Sequence, residues 1–471
     1  MQPVILTAGA TLVAALALSW SNLVARQPIS ISLIVANGIV VTVDESRRVL
    51  NPGSVAIDGA RIVAVGTPEA IAARYVGAET IDATGQVVMP GLINTHGHAA
   101  MVMYRGLGND LALMDWLQQY IFPAEAKTIS PEFVRVGTRL ALLEMIQSGT
   151  TTYADMYYFE EEVARVTKAA GVRGVLGQTV IEFPVPDAKT PADALRRAEA
   201  FAKEFAGDDL ITPSVAPHAV YTLDADVLTA ASDLAKKFNI PLQIHLNETE
   251  AENGLSQARH KSRPIALLER LNFWAPITIV AHGVWITPEE IPLLKRRKVG
   301  VSNNPESNMK LASGTAPVVA LRAAGIHVGL GTDGAASNND LDMFEAMRQA
   351  AFQQKLANMD PRVISAPEAL EMATMGGARV LGQQARIGSL ETGKLADLIV
   401  VDMDRPRQVP LFDPVAQVVY VSRGDDVRTT IVNGRVLMRD RRVLTLDAER
   451  VLADARQAAA LVRTAVGASP R

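Results

Sequence analysis

The histidines of this 471-residue chain are few, and their placement is the first indication of chemistry. Five of the seven come at the carboxyl ends of short apolar, β-branched runs: His96, His98, His218, His245 and His282. His96 and His98 flank Gly97 and project to the same side of an extended segment, where the glycine allows a close backbone approach. Two imidazoles spaced in this way can reach one cation.

A carboxylate extends the pattern. Asp333 ends a further run, within Gly331-Thr332-Asp333-Gly334, and the chain has no cysteine. A metal site must therefore be built from histidine and carboxylate, a ligand set that suits Zn²⁺ and also Fe²⁺ or Mn²⁺. The alternative is a group of core histidines satisfied by hydrogen bonds. Recurrence of such residues at successive strand ends favours a site for one divalent metal ion.

The elements that would position these residues alternate between strands and helices. Amphipathic stretches such as Val134 to Gln147 and Pro191 to Phe205 have helical periodicity. The strand candidates are Val87 to Asn94, Thr150 to Met156, Gly174 to Thr179, Ile211 to His218, Leu242 to His245, Ile277 to His282, Val299 to Asn303 and Ile326 to Asp333. This rhythm predicts an α/β fold, a (β/α)8 TIM barrel over residues 87–387, with a doubly wound open sheet as the alternative. In a barrel, catalytic residues gather at the carboxyl ends of the strands.

Both flanks of the barrel have a β-rich texture. Residues 31–86 and 388–443 carry short β-branched runs, and we expect them to combine into one small β-sandwich. The runs are Leu33 to Val35, Ile39 to Val43, Ser54 to Asp58, Arg61 to Gly66, Leu398 to Asp402, Val418 to Val421 and Thr429 to Val432, with hairpin turns expected at Asn37-Gly38, Asp58-Gly59 and Asn433-Gly434. Residues 1–30 form an apolar extension, and residues 444–471 a C-terminal helix and tail.

The net charge and the hydropathy of the chain argue against nucleic acid and membrane partners. The 46 Lys plus Arg and 50 Asp plus Glu leave a formal charge of −4, with no long basic run, which argues against nucleic acid. The apolar run Val4 to Leu18 is too short for a stable membrane span. We expect a cytoplasmic protein; export through residues 1–25 and a start codon assigned too early are the alternatives for this segment. Homo-oligomerisation is left open.

Six stretches carry a family resemblance. They are PGLINTHGH, PHAVYTL, IHLNET, AHGVWI, NNPESNMKL and LGTDGAASNN. In this order they resemble the metal-dependent amidohydrolase superfamily, and within it the 5'-methylthioadenosine/S-adenosylhomocysteine deaminases. The resemblance covers about residue 31 to residue 440. Triazine hydrolases and other aminoheterocycle deaminases are similar.

The resemblance implies roles for the strand-end residues. The implied metal ligands are His96, His98, His245 and Asp333. His282 is implied to bind or orient the attacking water, Glu248 to carry a proton from water to a ring nitrogen, and Asp333 to pass the second water proton to the departing amine. The alternative for Glu248 is an exposed loop carboxylate. Binuclear relatives use a lysine at the end of the fourth strand, and Ile211 to His218 contains none, so one ion is expected.

Substrate contacts are implied for four further residues. Glu125 matches an acid that binds the ribose hydroxyls, the alternative being a solvated acid at a helix start. His218 matches a substrate-contacting histidine, and its alternative is to orient a metal ligand. Trp116 would wall the same pocket or belong to the core. Gln178 stands where an arginine is expected to pair with the carboxylate of S-adenosylhomocysteine, which favours a compact 5'-substituent or a different heterocycle.

The expected activity is hydrolysis of a C–N bond in a cyclic amidine. An adenine nucleoside, namely 5'-methylthioadenosine, S-adenosylhomocysteine or adenosine, would give the inosine analogue and ammonia. The alternative substrates are a triazine, a pterin or a free purine or pyrimidine base, and a remote alternative is an inactive barrel scaffold. His260, His327 and the basic cluster Lys295 to Lys298 are expected to be structural.

Overall fold

The computed structural model describes residues 27–466, so the apolar run Val4 to Leu18 and its export hypothesis lie outside the described residues. Between residues 27 and 466, no helix is both long enough and apolar enough to cross a membrane. The strands are β1 (Ile29–Val41), β2 (Val49–Asp58), β3 (Arg61–Gly66), β4 (Tyr75–Asp82), β5 (Val87–Pro90), β6 (Leu92–Asn94), β7 (Thr150–Tyr157), β8 (Arg173–Val180), β9 (Ile211–Pro217), β10 (Leu242–Leu246), β11 (Thr278–His282), β12 (Gly300–Asn303), β13 (Val328–Leu330), β14 (Leu398–Val401), β15 (Val427–Val432), β16 (Arg435–Arg439) and β17 (Arg442–Val443).

Helices follow most of the barrel strands. The α-helices are α1 (Pro68–Ala72), α2 (Leu113–Trp116), α3 (Phe122–Thr128), α4 (Pro131–Gln147), α5 (Glu160–Ala170), α6 (Pro191–Glu204), α7 (Ala225–Phe238), α8 (Glu250–His260), α9 (Pro264–Arg270), α10 (Ile291–Arg296), α11 (Pro305–Lys310), α12 (Val318–Ala323), α13 (Met343–Asn358), α14 (Ala366–Glu371), α15 (Gly377–Val380), α16 (Pro414–Tyr420) and α17 (Ala448–Val466). Residues 99–104 and 424–426 form 3₁₀ turns, and residues 117–121 and 372–376 are π-helical.

Strands β6 to β13 close into an eight-stranded parallel barrel, which confirms the TIM-barrel prediction. The first strand candidate, Val87 to Asn94, is wrong as one strand: β5 pairs with β1 and β14 outside the barrel, and β6 pairs with β7 and β13 inside it. The chain changes sheets at Gly91, where a Cβ would lie 2.1 Å from Thr151 Oγ1. Helix α6 shows how local sequence sets the helices, because Thr190 caps it in a capping box with Asp193.

The flanking segments form one nine-stranded mixed sheet in the order β17-β16-β15-β14-β5-β1-β2-β3, with β4 on β1. The turns at Asp58-Gly59 and Asn433-Gly434 are confirmed by the antiparallel pairs that they join. The turn predicted at Asn37-Gly38 is wrong: Asn37 has a φ of 63°, and the pairing register shifts there while β1 continues. The residue pair therefore makes a bulge inside a long strand.

A second correction concerns Val418 to Val421, which is helical rather than extended. Pro414 begins α16, and the Asp413 side chain accepts hydrogen bonds from the backbone N–H groups of Val415 and Ala416. A short apolar run fits either a buried strand or a buried helix, and here the helix cap decides.

The sheet and the barrel are joined by a buried ion pair. Arg173, the first residue of β8, donates from Nε and Nη2 to Asp397 at 3.0 and 3.2 Å. Its remaining N–H groups bond Asp209 O at 2.8 Å and Asn433 Oδ1 at 2.6 Å. Asp397 also accepts the backbone N–H of Asn433. Each partner of this pair is therefore hydrogen-bonded on several sides.

Candidate active site

The carboxyl ends of the barrel strands bring four side chains to one point. His96 and His98 follow β6, His245 lies in β10, and Asp333 follows β13. Asp333 Oδ1 lies 3.5 Å from His96 Nε2 and 3.2 Å from His98 Nε2. His245 Nε2 lies 3.3 Å from His98 Nε2. Segments 237 residues apart in sequence (96 to 333) thus share one cluster of nitrogen and oxygen atoms.

Hydrogen bonds from the far side of each ring aim the Nε2 atoms inward. His98 Nδ1 donates to the carbonyl of Met156 at 2.7 Å, and His245 Nδ1 donates to the carbonyl of His218 at 2.9 Å. Such bonds fix the orientation of each ring and direct its Nε2 toward the position of a cation.

Asp333 is fixed by hydroxyl and backbone donors. Its Oδ2 accepts hydrogen bonds from Ser307 Oγ at 2.7 Å and Ser337 Oγ at 2.8 Å, and its Oδ1 accepts the N–H of Gly334 at 2.7 Å. The close backbone approach that was expected at Gly97 occurs instead at Gly331. A Cβ at Gly331 would lie 2.4 Å from Asn304 Oδ1, whereas at Gly97 it would meet its nearest atoms at an ordinary 3.6 Å.

The pKa values of the cluster follow from burial and from contact with Asp333. Burial lowers the pKa of His96 to about 4. Burial is the largest influence on His98 and opposes its charge, but the hydrogen bond and charge of Asp333, the charge of Asp155 and the bond to Met156 together outweigh it and raise that pKa to about 9. Burial acts against the Asp333 carboxylate, yet both histidines hold its pKa well below the usual range. The carboxylate is therefore ionised and ready to bind a cation at neutral pH.

The cluster fits a metal ion on the evidence of its own atoms. His96 Nε2 is buried and has no hydrogen-bond partner, and a buried polar atom of this kind is rare unless it has a ligand. The ligand atoms of His96, His98 and Asp333 lie within 4.8 Å of one another, as do those of His96, His245 and His282. Three imidazoles and one carboxylate make a donor set typical of a catalytic zinc site.

Glu248 and His282 lie beside this cluster. Glu248 Oε2 is 3.9 Å from His282 Nε2, and His282 Nδ1 donates to Asn308 Oδ1 at 2.9 Å. Burial raises the pKa of Glu248. Its backbone N–H is held by Glu252 Oε2 at 2.9 Å. Glu248 is thus a buried carboxyl group directed into the site, and the alternative of an exposed loop acid is wrong.

Glu125 lies in the same cavity, on α3. It is buried, and the Tyr157 hydroxyl donates to its Oε1 at 2.5 Å. Burial raises the pKa of Glu125 to about 7, against the opposing effect of the Tyr157 bond. The alternative of a solvated acid at a helix start is therefore wrong.

The cavity is lined by both polar and apolar groups. Trp116 and His218 line it with Glu125 and Glu248. His218 Nδ1 lies 3.1 Å from Thr222 Oγ1, and the His218 carbonyl is the group that orients His245. Gln178 does not line the cavity, because its Nε2 donates to Asp187 Oδ2 at 2.7 Å. The structure therefore gives Gln178 no direct path to a ligand in this cavity.

The remaining expectations concern groups away from this cavity. His260 Nε2 donates to the carbonyl of Val220 at 2.8 Å. His327 precedes β13, at the opposite end of that strand from Asp333, and the Lys295 to Lys298 cluster lies at and beyond the end of α10. None of these groups lines the cavity.

Comparison with known proteins assigns the fold to a family. Residues 87–437 match the model of the amidohydrolase family. The chain belongs to this family. It is 46% identical to a 5-methylthioadenosine/S-adenosylhomocysteine deaminase of Syntrophobacter fumaroxidans over 92% of this chain and 98% of the relative. It is 44% identical to a 5'-deoxyadenosine deaminase of Methanosarcina acetivorans, over 91% and 97%.

A solved structure agrees with these sequence matches. The adenosine deaminase of Xanthomonas campestris with bound zinc superposes on this amidohydrolase with a TM-score of 0.91 and 38% identity, over 93% of this chain and 100% of the other. The family is metal-dependent, and the position of the His/Asp cluster in this amidohydrolase agrees with that property.

Several polar residues of this amidohydrolase site were not found from the sequence. Ser307 and Asn308 lie in NNPESNMKL, and Ser337 lies in LGTDGAASNN, so the motifs contained them without indicating their partners. Tyr157 is the last residue of β7. The rule that functional side chains gather at the carboxyl ends of barrel strands would have found it.

Proposed function

We propose that this amidohydrolase uses one divalent metal ion, Zn²⁺ in its working form, to deaminate adenine nucleosides by hydrolysis. The products are the inosine analogue and ammonia. His96, His98, His245 and Asp333 would hold the ion, through the atoms whose convergence is described above. Bound there, a divalent cation lowers the pKa of its water toward about 7 and so supplies hydroxide at neutral pH.

The side chains around the cluster divide the proton transfers. Glu248, a buried carboxyl with a raised pKa, takes one proton from the attacking water and delivers it to the ring nitrogen next to the carbon under attack. Asp333 accepts the other proton of that water and passes it to the departing amine. His282, held by Asn308 through Nδ1, presents Nε2 to the water, whose O–H this nitrogen can accept.

Glu125 is the residue that favours a nucleoside, rather than a free base, as the substrate. Its carboxylate can accept hydrogen bonds from two vicinal hydroxyl groups, as a ribose presents them. The single observation that carries the proposal is that Glu125 and Glu248 line one cavity with His98, His245 and Asp333. A site for a heterocycle without a sugar has no need of this buried acid.

A substrate panel tests the proposal. The zinc-loaded protein is incubated with 5'-methylthioadenosine, adenosine, 2',3'-dideoxyadenosine and a chlorotriazine, and products are identified by mass spectrometry together with ammonia. We expect the inosine analogues from the two nucleosides with intact ribose and much slower turnover of the other two. Turnover of the triazine alone would overturn the nucleoside assignment and leave the metal hydrolase in place. Metal analysis of the protein as purified tests zinc against iron and manganese.

A further inference from the structure

The outer end of the cavity is aromatic. Phe122 and Glu125 lie one turn apart on α3 and both line the cavity. Phe183, in the loop after β8, packs edge-on against Phe122 with 5.2 Å between ring centroids and is 37% exposed. Phe183 itself is not among the residues that line the cavity, and it reaches the cavity only through Phe122. If Glu125 binds the ribose, the next group outward along the nucleoside, the 5'-substituent, extends along Phe122 toward Phe183.

No cation serves this end of the cavity. Among the described residues that line it, none is a lysine or an arginine. The guanidinium of Arg259, which pairs with Glu182 next to Phe183 in sequence, is already held by that carboxylate, by Asp224 Oδ1 at 2.8 Å and by the carbonyl of Tyr221 at 3.3 Å. Two carboxylates on one arginine leave the area beside Phe183 with an excess of negative charge.

The loop after β8 offers no substitute cation. Gln178 is turned away to Asp187. Lys189 lines a separate surface groove with Asp187, Asp193 and Arg197. An α-carboxylate placed against the two phenylalanine rings would therefore lose water without gaining a charged partner, which is unfavourable.

We propose that Phe122 and Phe183 form a subsite that selects adenine nucleosides with a compact, uncharged 5'-substituent, such as methylthio or hydrogen, over those with a zwitterionic amino-acid tail. This inference rests on the proposed deaminase function and narrows it. Both substrates carry the 5'-thioether, so the discrimination lies in the tail, whose α-carboxylate meets the negative ring faces and finds no lysine or arginine among the described residues that line the cavity.

The test compares kcat/KM of the zinc-loaded full chain for 5'-methylthioadenosine and S-adenosylhomocysteine. We expect a preference for methylthioadenosine of more than about tenfold, and a smaller preference overturns the inference. Loss of all nucleoside turnover would instead contradict the proposed function, so the two failures are distinguishable.

Two variants at one position sharpen the assignment. Phe183→Arg places a cation at the proposed subsite and should reduce the preference for methylthioadenosine by at least about tenfold. Phe183→Leu, which stays apolar, should keep the preference above tenfold. Phe412→Arg makes the same change at a phenylalanine that is 91% exposed and outside the cavity, and it should not alter the ratio. An unchanged ratio in Phe183→Arg, with an unchanged Tm, would remove Phe183 from the subsite.

Discussion

The two ends of the barrel differ in how completely their buried polar groups are hydrogen-bonded. At the amino end of β8, Arg173 and Asp397 are hydrogen-bonded on several sides and join the barrel to the outer sheet. At the carboxyl ends, His96 Nε2 has no partner, and Asp333 adopts a φ of 61°. Backbone strain and unsatisfied polar atoms persist only where the surrounding structure holds them, and they concentrate at functional sites.

This difference in hydrogen bonding assigns a stabilising role to the amino end and a ligand-binding role to the carboxyl ends. A buried ion pair with this many hydrogen bonds stabilises one arrangement of two structural units. An incompletely bonded cluster destabilises the protein by itself and gains its partners when a ligand binds. Substitutions at the carboxyl ends should therefore impair metal and substrate binding, whereas substitutions at the amino end should lower stability.

The largest effect is expected for His98→Ala at the carboxyl end. Loss of an Nε2 ligand should weaken metal binding by more than about 100-fold, because even the outer partners of a ligand contribute about 10–100-fold. Deamination should fall to the level of the metal-free protein, with the fold intact by circular dichroism. His327→Ala is the matched control, since His327 lies outside the cavity. Full metal content in His98→Ala would contradict the ligand assignment.

Arg173→Met should show the reverse pattern at the amino end. It leaves Asp397 buried without its charged partner, which should lower the free energy of unfolding by about 3–5 kcal/mol. The remaining folded protein should keep its kcat. Denaturant unfolding and kcat measured on the same sample separate these quantities. The double variant with Asp397→Leu should recover part of the stability, and a single variant as stable as the wild type would contradict the role of the pair.

Glu125→Gln should have a smaller effect, confined to substrates with a ribose diol. The amide has one acceptor oxygen where the carboxylate has two, so KM for adenosine should rise about tenfold, the equivalent of one lost charge-assisted hydrogen bond. KM for 2',3'-dideoxyadenosine should stay unchanged. Equal effects on both substrates would show that Glu125 does not bind the diol.

The pKa of Glu125 predicts a pH dependence with a definite sign. Burial raises this pKa to about 7, so the carboxylate loses its charge as the pH falls through 7. KM for adenosine should rise roughly tenfold between pH 8 and pH 6, the ratio that one group with this pKa gives. The dideoxy substrate controls for pH effects elsewhere in the site. A flat adenosine profile, or a KM that rises with pH, would contradict the assignment.

The barrel and its strand-end residues could be predicted because both follow local rules. Alternating apolar runs and helical segments indicate β/α units, and residues at the ends of parallel strands meet in space. This logic predicted where His96, His98, His245 and Asp333 would gather. Glu248, three residues after His245, was implied only by the family resemblance.

The error at Val418 to Val421 has a local cause, the helix start at Asp413 and Pro414. Other errors arose where partners elsewhere in the chain decide the structure. Asn37-Gly38 is a bulge because β1 pairs with β2, β4 and β5 along its length. The orientation of the Gln178 side chain depends on its hydrogen bond to Asp187. The Glu125 carboxylate is hydrogen-bonded by Tyr157, 32 residues away. Side-chain partners of this kind have no periodicity that a sequence pattern could reveal.

The most direct test of the account is ammonia release from 5'-methylthioadenosine by the zinc-loaded wild type and by zinc-loaded Glu248→Gln. The amide cannot carry the proton, and general acid–base groups contribute about 10²–10⁴-fold, so the variant should lose at least 100-fold in kcat while it keeps its zinc. Turnover of the variant at the wild-type rate, or no ammonia from the wild type, would contradict the proposed deaminase mechanism.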